Sequence, residues 1–390
     1  MPVLNSVAAL QAEMTAWRRD FHRHPELSYE VHRTARVVAE KLRAFGCDEV
    51  AEGIGRTGVV GLIRGSAPGR TIGLRSDMDA LPIPEATGLD WASATPGLMH
   101  ACGHDGHMAM LLGAAKHLAE TRRFAGAVAV IFQPAEEDGG GGEAMVKDGM
   151  MERFAINEVY GMHNMPDLPV GAFAIRPGPL MASTDEFDIV IEGRGGHAAK
   201  PHKCVDPVLA ACRFVRAAQS VVSRNMDPVD PIVVTICGMW NEGSTTYNVI
   251  PPSVRMTGTV RCYSEANRAL ARARLDALAE GIAAADGARA RNTWVRGYPP
   301  TINDARSTEF AAEVAADVAG GCDRNTPMAL GAEDFAYMLE ARPGAMIYVG
   351  NGPSAECHHP KYDFADETMP AGASYWVRLA ERALPLDGKD

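Results

Sequence analysis

Residues 106–134 read GHMAMLLGAAKHLAETRRFAGAVAVIFQP. Met108, Leu111, Leu112, Ala115 and Leu118 fall at i, i+3, i+4, i+7 and i+10, which predicts a helix with one apolar face. The run GAVAVIFQP at its end is continuously apolar, the pattern of a strand covered on both sides. Upstream, TGVVGLIRG (57–65) and TIGLRSDMDALP (71–82) are two further short apolar runs bounded by glycine and proline. Strand, helix and strand in this order predict an α/β fold, a mainly parallel sheet with helices on both faces.

From Thr184 the pattern changes. TDEFDIVIEG reads as a strand, and Asp206 with Pro207 makes a helix start for VLAACRFVRAAQSVV. PIVVTICGMW and VRMTGTVRCY follow as strands, Ser264 caps the helix EANRALARARLDALAEGI, and ARARNTWVRGY closes the block. This βαββαβ order is that of a compact two-layer α+β unit. It predicts a second domain at 184–300 inserted into a first made of 1–183 and 301–390, with PPTIND as the return linker and GAMIYVGNG as a late strand of the first.

Composition limits the function classes. The 390 residues suffice for two domains with substantial cores. A net charge of −11 without a dense Lys/Arg run argues against nucleic acid and against an anionic membrane surface as partners. The eight cysteines are scattered singly, as expected of reduced thiols. The N-terminus shows no basic segment followed by an apolar core, and no apolar run is long enough to span a bilayer, so a cytoplasmic location is expected.

Immediately before the helix stands MHACGHDGH (99–107), with Cys102 and His104 as a C-x-H pair flanked by His100 and His107. Thiolate and imidazole are good ligands for zinc and similar ions. A cysteine nucleophile with its base, and a polar glycine-rich turn, are the other readings of this stretch alone. FQPAEEDGGGG (132–142) puts Glu136 and Glu137 at the end of a buried strand, where α/β sheets carry their active sites. Side chains of adjacent residues are expected to diverge, so one carboxylate is free to hold metal while the other takes a proton from water. His163 in VYGMHNMP and His358 with His359 in ECHHPKYDF are further candidates.

Together, RRDFHRHPELSYEVHRTA, LRSDMDALPI, MHACGHDGHMAMLLGAA, FQPAEE, GMHNMP, GRGGHAAKPH, YNVIPP, GAEDFAYM and CHHPKYDF run almost end to end. In that order they resemble the metal-dependent amidohydrolase family of hippurate hydrolases, N-acyl-amino-acid aminoacylases and auxin-conjugate hydrolases, within the aminoacylase and carboxypeptidase group of metallopeptidases. The resemblance implies two divalent metal ions per subunit (Zn, Mn, Co or Ni) held by Cys102, His104, Glu137, His163 and His358, with Glu136 as general base. It implies that Asp79 orients ligands without binding metal, and that Asp77 stands where related branches carry a histidine ligand. Cys357 stands where the family commonly has leucine. His100 and His107 are expected beside the ligands, and Glu333 and Asp334 either line the site or form an acidic helix start.

In the inserted domain, expected to serve as lid and dimerisation domain, the resemblance implies that His197 stabilises the oxyanion, in its own or a partner's site, and that Asn248 and Arg261 hold the substrate carboxylate. His202 has no assigned role. The implied reaction is hydrolysis of the amide of a small N-acyl-amino acid to a carboxylic acid and a free amino acid, by a homodimer or homotetramer. The alternatives are dipeptidase- or carboxypeptidase-like activity on small peptides, a thiol hydrolase built on Cys102, and a catalytically silent metal-loaded binding protein.

Overall fold

The apolar run after Arg123 forms a strand whose residues from Ala127 to Gln133 are all buried. It joins six others in one sheet of a computed structural model, which describes residues 3–244 and 246–386. In chain order the strands are β1 (Glu49–Ile54), β2 (Gly58–Arg64), β3 (Ala67–Asp77), β4 (Ala125–Gln133), β5 (Ile156–Pro166), β6 (Phe173–Ala174) and β7 (Gly344–Gly352). Their order across the sheet is β1-β2-β4-β3-β5-β7-β6. The central strands β4, β3, β5 and β7 pair in parallel. The edges, β1 with β2, β2 with β4 and β6 with β7, pair antiparallel. All nine residues of β7 are buried, as a strand covered on both faces requires.

The main helices of this part are α1 (Gln11–Arg23), α2 (His32–Phe45), α3 (His104–Thr121), α4 (Ala305–Ala319) and α5 (Met369–Ala383). Helix α3 is the one read from the periodic apolar residues, but it is buried on more than one face. Every residue from His104 to Ala115 is buried. Its second face consists of Ala109, Met110, Gly113 and Ala114, small or flexible residues that an apolar-period count underweights, and it packs against α1, α2, α5 and β3.

By contacts the chain divides into two units, Met1–Leu180 with Ile302–Pro327 and Asp334–Asp390, and Met181–Thr301 with Met328–Glu333. Residues 1–2 and 387–390 of the expected first domain lie outside the described residues. The second unit has a four-stranded antiparallel sheet in the order Ile232–Glu242, Ser253–Cys262, Asp185–Glu192, Arg289–Arg296. Helices Pro207–Ser220 and Glu265–Ala285 pack on it around Phe187, Ile189, Phe214, Met256 and Leu275. Asp206 accepts the Val208 N–H at 2.9 Å and Ser264 accepts the Asn267 N–H at 3.3 Å, so both helix starts are capped as their sequences predict. Residues 328–333 belong to this unit and not to the first, as the boundary at 301 had it. The Ala329 carbonyl takes the Ala182 N–H at 3.1 Å and the Tyr263 hydroxyl at 3.0 Å, contacts too distant in sequence for a pattern to reveal.

Candidate metal centre

Within the first unit, the parallel strands deliver their chemistry at one end. β3 ends at Asp77 with Asp79 just beyond it, β4 ends at Gln133 ahead of Glu136 and Glu137, and His163 lies near the end of β5. His358 follows β7, and Cys102 and His104 stand at the start of α3. Carboxyl ends of parallel strands are where α/β sheets bind ligands, because the backbone must turn there and side chains fan out. The turn before α3 depends on Gly103, at φ +86°. A Cβ there would lie 2.4 Å from Asn164 Nδ2 and 2.5 Å from the Tyr362 hydroxyl.

Hydrogen bonds fix which histidine nitrogens are available. His104 Nδ1–H donates to the Asp79 carbonyl at 2.8 Å, which leaves Nε2 buried with no hydrogen-bond partner. Around that nitrogen lie Asp77 Oδ2 at 3.7 Å, Glu137 Oε1 at 3.8 Å and Glu136 Oε2 at 3.9 Å. His163 Nδ1–H donates to the Asn164 carbonyl at 2.6 Å, and its Nε2 faces Cys102 Sγ at 3.3 Å. His107 differs: Nδ1–H donates to Asp77 Oδ1 at 2.8 Å and Nε2 accepts the Asn164 N–H at 2.9 Å. Both of its nitrogens are engaged, and it carries no lone pair for a cation.

Among the sets of donor atoms that meet within 4.8 Å of one another are Cys102, His104 and His163; His104, Glu136 and Glu137; and Cys102, Glu137 and His358. They share members, so Cys102, His104 and Glu137 link them into one cluster. His358 Nε2 lies 3.4 Å from Glu137 Oε2, and the His358 N–H donates to the Ala101 carbonyl at 2.7 Å, which ties the two chain segments together. His359 turns to its own loop, where Nδ1 accepts the Lys361 N–H at 3.1 Å. The two glutamates do not diverge as adjacent side chains were expected to. After a turn in which Ala135 sits at φ +53°, both lie within 4 Å of His104 Nε2, and Glu137 also meets Cys102 and His358.

Electrostatics favour a cation here. Burial alone would lower the His104 pKa, but Asp77, Asp79 and Glu137 outweigh it and raise it to about 10. His163, buried and beside His107, falls to about 3, so its imidazole is neutral. Burial raises the Asp79 carboxyl. Asp77 stays well below the usual carboxylate range despite its burial, because His104, His107 and Arg75 hold its charge. Contact with the Cys357 thiol, then burial, pushes the Cys102 thiol well up. The orphaned His104 Nε2 and Glu137 Oε1, both buried, complete a mixed S, N and O donor set that fits a divalent transition metal.

Of the residues that support the cluster, Asp79 was expected from the sequence, whereas Asn164, Tyr362 and Arg75 were not. Asp79 accepts the backbone N–H groups of Glu136 and Glu137 at 3.0 and 3.1 Å, so its carboxylate orients the glutamate loop while its carbonyl holds His104. Asn164 donates to the Cys102 carbonyl at 2.5 Å and accepts from the Tyr362 hydroxyl at 2.7 Å. Arg75 reaches Asp77 at 2.9 Å, Gln133 at 2.8 Å and Asp334 at 3.1 Å. Asn164 follows His163 directly and Tyr362 lies within CHHPKYDF, but nothing in their spacing marks them as partners.

Behind α3, buried Arg18 and His22 both contact Asp105 Oδ2 at 2.9 Å, while His22 Nε2–H faces Glu85 at 3.3 Å and the tilted His100 ring lies 6.4 Å away. Burial and Arg18 oppose protonation of His22, but the bonds to Asp105 and Glu85 prevail and raise it to about 9. A folded-state value above the unfolded one stabilises the protein fully below pH 6.5, and the gain is lost as pH rises through about 9. The gap in Tm between the parent and His22→Gln is therefore expected to be widest near pH 6, worth about 3 kcal/mol, and to shrink by pH 10. A gap unchanged over that range would contradict the assignment.

His197, Asn248 and Arg261 all lie in the second unit. The short strand Gly196–His197 pairs with Val249–Ile250, and the Asn248 carbonyl accepts the Ala198 N–H at 2.9 Å, so His197 and Asn248 are neighbours. The His197 ring is exposed, with Nδ1 accepting the Ala199 N–H at 3.2 Å. Arg261 donates to the Thr259 hydroxyl at 2.5 Å, and burial lowers its pKa.

The model of peptidase family M20/M25/M40 matches residues 73–382. The chain is 39% identical to the hippurate hydrolase of Campylobacter jejuni over 98% of its own length and 100% of that protein's. It is 40% identical to an N-acetyl-L-cysteine deacetylase of Bacillus subtilis, over 99% and 91% of the two chains. Among solved structures it resembles the Bacillus subtilis YXEP protein, a dinuclear metal binding peptidase from the M20 family. The TM-score is 0.86 at 36% identity, covering 97% and 99% of the two chains.

Proposed function

Because the chain belongs to peptidase family M20/M25/M40, we propose that it is a metal-dependent amidohydrolase that cleaves small N-acyl-amino acids to a carboxylic acid and a free amino acid. The observation that carries this reading is the cluster of donor atoms around the orphaned Nε2 of His104. Cys102, His104, Glu137, His163 and His358 are the residues that would hold two divalent ions. When bound, such ions lower the pKa of water and polarise the amide carbonyl. Glu136 takes a proton from the attacking water as the new C–O bond forms, and returns it to the amine nitrogen as the C–N bond breaks. Asp79 keeps both glutamates in register through their backbone N–H groups. By the resemblance, His197, in its own or a partner's site, donates to the oxygen that gains negative charge, and Arg261 with Asn248 receives the substrate carboxylate.

The first unit is assigned the catalytic role, the second the roles of lid and dimerisation surface. Exposed Met239 and Trp240 on an outer strand of the second unit's sheet support a homodimer or homotetramer, and a monomer mass by light scattering would contradict it. Eight unpaired cysteines support a cytoplasmic location, and among the described residues no helix is long and apolar enough to cross a membrane.

The test is a panel of N-acetyl- and N-benzoyl-amino acids with the purified protein, before and after chelation and with Zn, Mn, Co or Ni restored. Turnover lost on chelation and regained with metal is the expected outcome. Turnover that survives complete metal removal would overturn the proposal, and turnover of dipeptides alone would shift the substrate class to peptides.

A further inference from the structure

The loop that carries Glu136 and Glu137 runs straight into four glycines, Gly139–Gly142. Glycines lose the most conformational freedom on ordering, so a carboxylate on such a loop is poorly held unless the loop is tied down. Asp79 ties the inner side. The outer side is tied by two residues from the segment between α1 and α2. The Ser28 carbonyl accepts the Ala135 N–H at 3.1 Å, the Ser28 hydroxyl donates to the Asp138 carbonyl at 2.8 Å, and the Tyr29 hydroxyl donates to the Gly139 carbonyl at 2.7 Å.

The fit is close. A Cβ on Gly139, φ +112°, would lie 2.8 Å from Tyr29 Cε2. Ser28 and Ala135, the two ends of one backbone hydrogen bond, both sit at positive φ, +47° and +53°. Non-glycine residues hold that conformation at a cost, and here the surrounding bonds over-determine it. The Tyr29 ring is itself fixed, with the Arg56 guanidinium 4.1 Å from its centroid and the Thr57 hydroxyl donating to its carbonyl at 3.0 Å.

We propose that Tyr29 is a positioning residue for the hydrolytic reaction: its hydroxyl anchors the exit of the glutamate loop and thereby holds the Glu136 carboxylate on the proton it moves. This rests on the reading of Glu136 as general base. Ser28 anchors the same loop one residue earlier, so its hydroxyl has the same role in weaker form.

Tyr29→Phe keeps the ring against Gly139 and under Arg56 and removes one hydrogen bond. With metal content and Tm close to the parent's, kcat is expected to fall about fivefold while KM stays within about twofold. Ser28→Ala is expected to lower kcat in the same way. In a Glu136→Gln background, adding Tyr29→Phe is expected to leave the residual rate unchanged, because its effect passes through the missing carboxylate. An equal fivefold loss in both backgrounds, or no loss from either single substitution in the parent, would overturn the proposal. Near-parental turnover by Glu136→Gln alone is a separate result, which would overturn the general-base reading and this proposal with it.

Discussion

Glu136→Gln is expected to fold, to bind its full complement of metal and to lose kcat by roughly a hundred- to ten-thousandfold, the range of general acid–base catalysis. The substitution preserves shape. The bonds that Asp79 makes to the loop use backbone N–H groups and survive it. Glu137, which alone of the pair also meets Cys102 and His358, keeps its charge. What is removed is a group able to accept a proton. Steady-state rates on N-benzoylglycine, read beside metal content by elemental analysis, check it. Near-parental turnover in metal-replete protein would assign the proton transfer to another group.

The second large effect separates two histidines three residues apart on one helix. His104→Ala is expected to bring the metal content below two ions per chain and activity below that of Glu136→Gln, because Nε2 of His104 lies within reach of all the carboxylates of the cluster. His107→Ala is expected to retain both ions. It leaves Asp77 Oδ1 and the Asn164 N–H without their imidazole partner in a buried site, a loss of about 1–3 kcal/mol each in stability. Metal content and Tm of the two variants, measured side by side, decide the matter. Equal loss of metal by both would remove the distinction between ligand and support.

Periodicity carried the elements well because burial in this fold is regular. The helix from His104 and the strand from Ala125 were legible from apolar spacing, and the helices at Pro207 and Glu265 from their cap residues Asp206 and Ser264. The extent of burial of α3 was not, since alanine and glycine pack tightly without registering as strongly apolar. At the site, the residue types and their placement after strands were legible, and the resemblance supplied the ligand set. The convergence of Glu136 and Glu137 on His104 was hidden, because the direction of side chains in a turn has no periodic signal. The different fates of His104 and His107 were hidden too. Only the structure reveals that Asp77 and the Asn164 backbone occupy both nitrogens of the second. Partners such as Arg75 with Asp334, or Tyr29 with Gly139, join residues far apart in the chain, and a single sequence has no periodic signal for them.

If the first unit grips a pair of cations, they sit in one cluster of donor atoms. Anomalous scattering, recorded at the absorption edge of the loaded metal from crystals of reconstituted protein, tests it most directly. Two peaks per chain are expected, with Cys102 Sγ about 2.3 Å and the nitrogens of His104, His163 and His358 about 2.0–2.1 Å from one or other of them. A cluster without a peak, or peaks held by other residues, would contradict it.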